Sequence, residues 1–412
     1  MYLLPKPKTI KEQDGQMLLC HSTHIVMTKE VAETEMHAAK RLQEAIRQET
    51  GLILPFSVGE VREGDLSLGI AKTLPEQTYE ITIDEKGGQI SGGDGAGVLY
   101  GVETFCQIVQ QCGGILPCVQ IQDAPDMPNR GYYFDQTRGR VLKLEELKKI
   151  ADRMCRYKLN QLQLYVEHTY LFRDFSEMWR DQTPLTAEEI LELDSYCRER
   201  HIELVPSLAS FGHLCTLLST KTYGDLCEME DSWKEPFSFW NRMRYHTINV
   251  SDERSLPLIK KMIAEYMQLF SSNKFNICAD ETFCLGKYKS KKLAEERGVH
   301  RLYIDYVKEL AQFLVENGKI PMFWGDIIWN SPELMKELPE SMICLNWGYA
   351  PEQREDETRA IAQTGAVQYL CPGVCGWNQW ANLIENSYKN ITRMCGYAAK
   401  YHGIGVLNTD CV

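Results

Sequence analysis

Apolar and polar positions change places quickly through the first 124 residues. The stretch "VAETEMHAAKRLQEAIRQETG" carries its apolar residues at helical spacing and closes at Gly51. "GDLSLGIA" and "TYEITIDEKGGQISGG" read as strands, the second as a hairpin whose halves join through Gly87 and Gly88. A second helical stretch, "GAGVLYGVETFCQIVQQC", leads to "GILPCVQIQDAPDMPNRG", where Pro125 and Pro128 mark a domain boundary. A small α+β domain with an antiparallel sheet is predicted over 1–124.

From Gly131 the rhythm lengthens to strand, then helix, repeated. Apolar runs at 131–135, 161–167, 202–209, 275–280, 320–326, 342–347, 366–370 and 404–410 read as eight strands. Between them, Leu144, Leu147, Ala151 and Met154 share one helical face, and Thr186 with Glu189 has the spacing of a capping box. Strands too apolar to have a wet face, alternating with helices, predict an α/β fold: a (β/α)8 TIM barrel over 125–412 behind the small domain. An open doubly wound sheet is the alternative. Only Cys411 and Val412 follow the eighth strand, so the barrel is expected to be truncated there, without its final covering helix.

Composition narrows the partners. A net charge of −12 argues against nucleic acid and against an anionic membrane, both of which select a basic footprint. The first twenty residues lack a secretory h-region, and no later stretch approaches a membrane span, so a cytoplasmic protein is expected. Fifteen cysteines without a C-x-x-C pair read as reduced core thiols in a reducing compartment.

In a parallel barrel the C-terminal ends of the strands deliver side chains into one mouth. Those ends carry Asp135 and Arg138, Glu167 and His168, His213, Asp280 and Glu281, Trp324 and Asp326, Asn346 and Trp347, Trp377 and Asn378, and Asp410. No Gly-rich phosphate loop adjoins a strand, no H-E-x-x-H spacing occurs, and a serine nucleophile elbow is missing. Neither a cofactor nor a metal is expected. Acid–base chemistry between aromatic walls remains, which is the chemistry of a glycosidase site. Trp324, Trp347 and Trp377 offer faces for the C–H side of a pyranose, with polar groups around them for its hydroxyls. The expected partner is a small carbohydrate.

Five segments in order carry a resemblance to a family. "RGYYFDQTRGR" is similar to an R-G-x-x-x-D-x-x-R segment, "YKLNQLQLYVEHTY" to a K-L-N strand, and "IELVPSLASFGHL" to an I-E-x-x-P…G-H pattern. "FNICADE" ends on an Asp-Glu pair, and "GVLYGVETFCQIV" looks like the end of a small α/β domain before a barrel. Together they resemble glycoside hydrolase family 20, the β-N-acetylhexosaminidases, over nearly the whole chain. The resemblance implies an exo-acting, retaining hydrolase of terminal β-linked N-acetylglucosamine or N-acetylgalactosamine. In that chemistry the substrate's acetamido oxygen is the nucleophile and forms an oxazolinium ion, an exception to the two-carboxylate rule.

By the same resemblance Glu281 is the general acid and base, and Asp280 orients the acetamido group. Arg130 binds hydroxyls at the non-reducing end, while Asp135 and Arg138 form a buried pair shaping the mouth. His213 orients the acidic cluster, Trp324 and Trp377 box the acetamido group, Trp347 adds a wall, and Glu167 and Asp326 complete the substrate-binding set. Two departures stand out. Cys278 and Ala279 replace a small or glycine pair before Asp-Glu, and "CPGVCGWNQW" lacks the tyrosine that bonds the acetamido oxygen, leaving Asn378 as its substitute. Two other readings stay open: an inactive, sugar-binding relative, and a conventional retaining β-glycosidase with Glu167 as nucleophile.

Overall fold

The computed structural model describes residues 1–377 and 379–411, and divides into two compact units. The first comprises Met1–Pro128 with Lys148–Asn160 and Tyr196–Ile202. Its seven strands are β1 (Thr9–Leu18), β2 (Ile25–Met27), β3 (Phe56–Val58), β4 (Leu66–Ile70), β5 (Tyr79–Asp84), β6 (Gly87–Gly92) and β7 (Ile115–Asp123). They form one sheet in the order β1-β7-β5-β6-β4-β2-β3.

The sheet is mixed, where an antiparallel one was expected: β1, β7, β5 and β6 pair antiparallel, but β6–β4, β4–β2 and β2–β3 pair parallel. For β2–β3 the cause is the helix Met36–Thr50, which returns the chain from β2 to β3 as a crossover, and a crossover makes its strands parallel. That helix closes at Gly51 in the left-handed conformation, as its sequence predicts. The β5–β6 hairpin turns through Glu85 and Lys86; Gly87 and Gly88, expected at the turn, are the first residues of β6. The helix Gly95–Cys112 is capped by the Asp94 carboxylate, which accepts from the Gly97 N–H at 2.8 Å.

The second unit comprises Asn129–Leu147, Gln161–Ser195 and Glu203–Val412. It contains β8 (Asn129–Asp135), β9 (Gln161–Val166), β10 (Glu203–Leu208), β11 (Lys274–Asn276), β12 (Ile320–Trp324), β13 (Ile343–Trp347), β14 (Val367–Cys371) and β15 (Gly405–Asp410). All eight expected strands are present, and they close into a parallel barrel. β15 joins β8 along a register from Gly405 opposite Asn129 to Asp410 opposite Phe134, so the open doubly wound sheet is excluded.

The interior is filled with side chains. Asn276 donates to Gln163 at 3.1 Å, Gln163 to Gln161 at 3.2 Å, and Gln161 to the half-buried Glu203 at 3.0 Å, so the polar groups of the interior satisfy one another. The helix Ala187–Arg198 opens with the expected capping box, in which the Thr186 N–H donates to Glu189 at 2.9 Å and the Glu189 N–H to Thr186 at 3.2 Å. No helix among the described residues is long and apolar enough to cross a membrane.

Candidate active site

The fourth barrel strand stops three residues in, at Asn276, where the apolar run predicted a strand to 280. Past Ile277 the backbone leaves the extended region: Cys278, Ala279 and Glu281 have φ of 56°, 63° and 48°. L-residues enter this left-handed region at a cost of about 1–2 kcal/mol each. That geometry explains why glycine or another small residue suits positions 278 and 279.

Neighbouring groups hold the bend in place. The Cys278 N–H donates to Asn276 Oδ1 at 2.9 Å, the Trp324 N–H to the Cys278 carbonyl at 2.9 Å, and the Tyr303 hydroxyl to the Ala279 carbonyl at 3.0 Å. The bend turns Asp280 and Glu281 out of the ladder into a pocket of about 260 Å³. The pocket is walled by Tyr133, Tyr165, Trp324, Trp347, Tyr349 and Trp377, with Arg138, Phe239, Trp240, Met243 and Cys411.

His213 reaches this bend from the loop after β10. A Cβ on Gly212 would lie 2.6 Å from the Asp280 carbonyl oxygen, so only glycine lets the two backbones meet here. The His213 Nε2 stands 3.3 Å from carboxylate oxygens of both Asp280 and Glu281. Burial alone would lower the pKa of this ring, but Asp280, with Glu281, outweighs it and raises it to about 10. His213 is therefore the imidazolium of an ion-pair cluster, consistent with the orienting role expected of it. One atom from each of the three groups lies within 4.8 Å of the others, a spacing a cation could use. An imidazolium has no lone pair to give such an ion.

Burial works to raise the pKa of Asp280, yet the His213 charge, followed by Arg138, holds it below the usual carboxylate range. Asp326, which follows β12, goes the other way: burial first, then the Asp280 charge, pushes it up to about 8. Its Oδ2 accepts from the Glu281 N–H at 3.0 Å and so fixes the backbone of the second carboxylate. Asp280 Oδ1 and Asp326 Oδ1 are buried without a hydrogen-bond partner. Buried polar atoms are seldom left so, and of the two residues Asp280 lines the pocket, where its Oδ1 can accept from a ligand's donor.

The structure redistributes several expected roles. Trp324, Trp347 and Trp377 all line the pocket. Trp347 packs 5.0 Å from Tyr349, and Tyr349 packs 4.6 Å from Trp377, ring centre to centre, in one aromatic wall. Tyr349, two residues past Trp347 in a loop, carried no signal in the strand pattern. Asn378 lies outside the described residues.

Arg130, expected to bind hydroxyls of the sugar, is corrected. It is the second residue of β8, five residues before Asp135, and a strand advances about 3.3 Å per residue. Arg130 therefore belongs to the opposite end of the barrel. The arginine in the pocket is Arg138, whose Nε donates to Asp135 Oδ2 at 2.6 Å, while its guanidinium lies 4.8 Å from the Tyr165 ring centre. This buried pair matches the mouth-shaping pair expected of Asp135 and Arg138.

Glu167 is corrected as well, because it does not line the pocket. Its Oε1 accepts from the Tyr165 hydroxyl at 2.9 Å and its Oε2 from Arg242 at 2.8 Å. Burial opposes its ionisation, but Arg242 and then Arg138 hold its pKa below the ordinary value. With both oxygens occupied it is a fixed charge behind the wall. Arg242 belongs to the short helix Phe239–Arg244, which brings Phe239, Trp240 and Met243 to the pocket from the long excursion after β10. Strand-by-strand reading passes over that excursion.

Residues 1–124 match glycosyl hydrolase family 20, domain 2, and residues 128–403 match the glycosyl hydrolase family 20 catalytic domain. A beta-hexosaminidase of Porphyromonas gingivalis is 24% identical over 411 residues, across 91% of this chain and 50% of that protein. One of Vibrio furnissii is 26% identical over 310 residues, across 68% of this chain and 48% of that protein. The chain thus spans about half the length of these relatives.

Two solved structures share the fold. The GH20 exo beta-N-acetylglucosaminidase of Vibrio harveyi in complex with N-acetylglucosamine has a TM-score of 0.80 at 18% identity, covering 99% of this chain and 69% of that one. The N-acetyl-beta-hexosaminidase of Streptomyces plicatus in complex with thio-NAglucal has a TM-score of 0.80 at 19% identity, covering 99% and 84%. With both its domain matches in one family and in chain order, this chain belongs to glycosyl hydrolase family 20.

Proposed function

We propose that the chain is an exo-acting β-N-acetylhexosaminidase working by substrate assistance. The observation that carries this reading is the pocket floor: two adjacent carboxylates share one imidazolium, and the outer oxygen of Asp280 is buried without a partner. That oxygen suits an acetamido N–H. By accepting it, Asp280 turns the acetamido oxygen towards the anomeric carbon and stabilises the positive charge that grows on the oxazolinium.

As that bond forms, the bond to the leaving oxygen breaks and Glu281 delivers a proton to it. Glu281, now a carboxylate, then takes a proton from the water that opens the oxazolinium, and configuration is retained. Trp324, Trp347 and Trp377 enclose the acetamido group, Tyr349 supplies that wall with a hydroxyl, and Arg138 meets the hydroxyls of the terminal sugar. Glu167, with both oxygens engaged, argues against the conventional retaining mechanism.

Hydrolysis of an aryl N-acetyl-β-glucosaminide beside the simple aryl glucoside tests the proposal. Turnover of the first alone is expected; equal rates would sink substrate assistance, and turnover of neither would support the sugar-binding relative. Glu281→Gln is expected to slow poor leaving groups by about 10²–10⁴ and activated ones far less. The substrate is a small carbohydrate, with nucleic acid and membrane disfavoured by the net charge of −12. Fifteen cysteines without a disulfide support a reducing, cytoplasmic setting. Recovery of the protein from a secreted fraction would count against that setting.

A further inference from the structure

Three groups on the Glu281 side of the pocket rim have no part in the chemistry above. Trp240, on the helix Phe239–Arg244, lines the pocket beside Glu281 and is still 62% exposed. Phe283 is 38% exposed and is kept next to Glu281 by a tight turn, in which its N–H donates to the Glu281 carbonyl at 2.7 Å. The Arg244 guanidinium lies between them, 5.2 Å from the Trp240 ring centre and 6.0 Å from that of Phe283. Arg244 is exposed and forms no ion pair among the described residues.

We propose that these three residues form a binding site for a leaving sugar that carries a carboxylate, a hexuronic acid. The proposal rests on reading the pocket as that of a β-N-acetylhexosaminidase. The proton donor defines the side from which the leaving group departs, so a leaving sugar lies over the residues flanking Glu281. Exposed aromatic rings suit the C–H face of that sugar, and a guanidinium suits a carboxylate bidentately.

Charge favours an acid over a neutral sugar. The cation that selects an acid is local, because the chain as a whole carries a net charge of −12. Arg244 is an exposed guanidinium without an ion pair among the described residues, so a carboxylate can pair with it without displacing an existing partner. The platform is also held in position. Arg242 is tied to the buried Glu167 at 2.8 Å, and the Met243 sulfur accepts from Arg138 at 3.3 Å, so little ordering is left for binding to supply. Glu167 and Arg242 are positioning residues for the platform.

The test uses the full chain with three substrates: methyl N-acetyl-β-glucosaminide, and N-acetylglucosamine β-1,4-linked to glucose or to glucuronic acid. The wild type is expected to prefer the glucuronate-linked disaccharide, and rising salt should erode the preference. Arg244→Ala should lower kcat/KM on that substrate about tenfold, chiefly through KM, and abolish the preference. Trp240→Ala should cost both disaccharides several-fold more than the methyl glycoside.

A wild type indifferent to the carboxylate would overturn the proposal, as would equal losses on all three substrates in both variants. If the wild type cleaved the aryl N-acetylglucosaminide but showed no preference here, only the platform would fall. If it cleaved none of them, the reading of the pocket itself would fall.

Discussion

Around the bend after β11, neighbouring carboxyl groups titrate in opposite directions. Asp280 stays ionised against the His213 charge, whereas Asp326, buried beside Asp280, is raised to about 8 and keeps its proton near neutrality. Such divergence is how one site holds a fixed anion and a neutral acid together. It also links stability to pH. Between about pH 4 and 8 the folded chain holds a proton on Asp326 that the unfolded chain has released, so stability falls as pH rises through that window. His213, raised to about 10, adds stability that is fully present below about pH 6.5 and is lost as pH climbs through 10. Asp326→Asn removes the first contribution only. Its loss of stability between pH 5 and 8.5 should be smaller than that of the wild type by on the order of 1–3 kcal/mol, read from denaturant unfolding at each pH. Parallel curves would show that Asp326 does not titrate there. Sequence marked Asp326 as a site residue, but its shifted proton depends on Asp280 standing against it, and spacing along the chain does not reveal that.

The element that decides the site is the end of β11. An apolar run specifies a strand, and the pattern carries that expectation to residue 280, yet the strand pairs only over Lys274–Asn276. Cys278 and Ala279 are ordinary L-residues held in a glycine-like conformation by hydrogen bonds from outside the strand. Ala279→Gly should relieve this and stabilise the chain by about 1 kcal/mol, after the entropy that glycine returns to the unfolded state, measured as a shift in denaturant midpoint. Cys278→Gly should not. The buried Cys278 sulfur packs 3.3 Å from Ser207 Oγ and 3.8 Å from the Tyr133 hydroxyl, and deleting it empties that contact. A gain in neither variant would mean that the bend is not strained as described, and a gain in both would mean that the Cys278 contact is worth less than the strain. By contrast, the helix Gly95–Cys112 and the capping box at Thr186 were legible in the sequence because their signals are local.

Over the whole barrel, closure depends on the seam between β15 and β8. Gly131 faces Leu407 across it, and a Cβ at Gly131 would stand 2.5 Å from the Leu407 Cδ1 in a fully buried position. Gly131→Ala should therefore cost about 1–3 kcal/mol of stability by overpacking, seen in thermal or denaturant unfolding. No loss would mean that Leu407 can repack.

The alternation of apolar runs with helical spacing determined the eight strands and their order, and with them the position of Asp280, Glu281, Trp324 and Trp347 at one rim. Strand direction is a local property, and a closed parallel barrel has one mouth for all its strand ends. Only the tertiary structure decided which arginine reaches the sugar site, since Arg130 lies near the start of β8 and Arg138 follows its C-terminal end. It alone also brought in Tyr349, Trp240 and Arg244. They lie on loops and a short helix whose return to the mouth is fixed by contacts far apart in sequence, such as Arg242 with Glu167, and no period in the chain encodes such a contact.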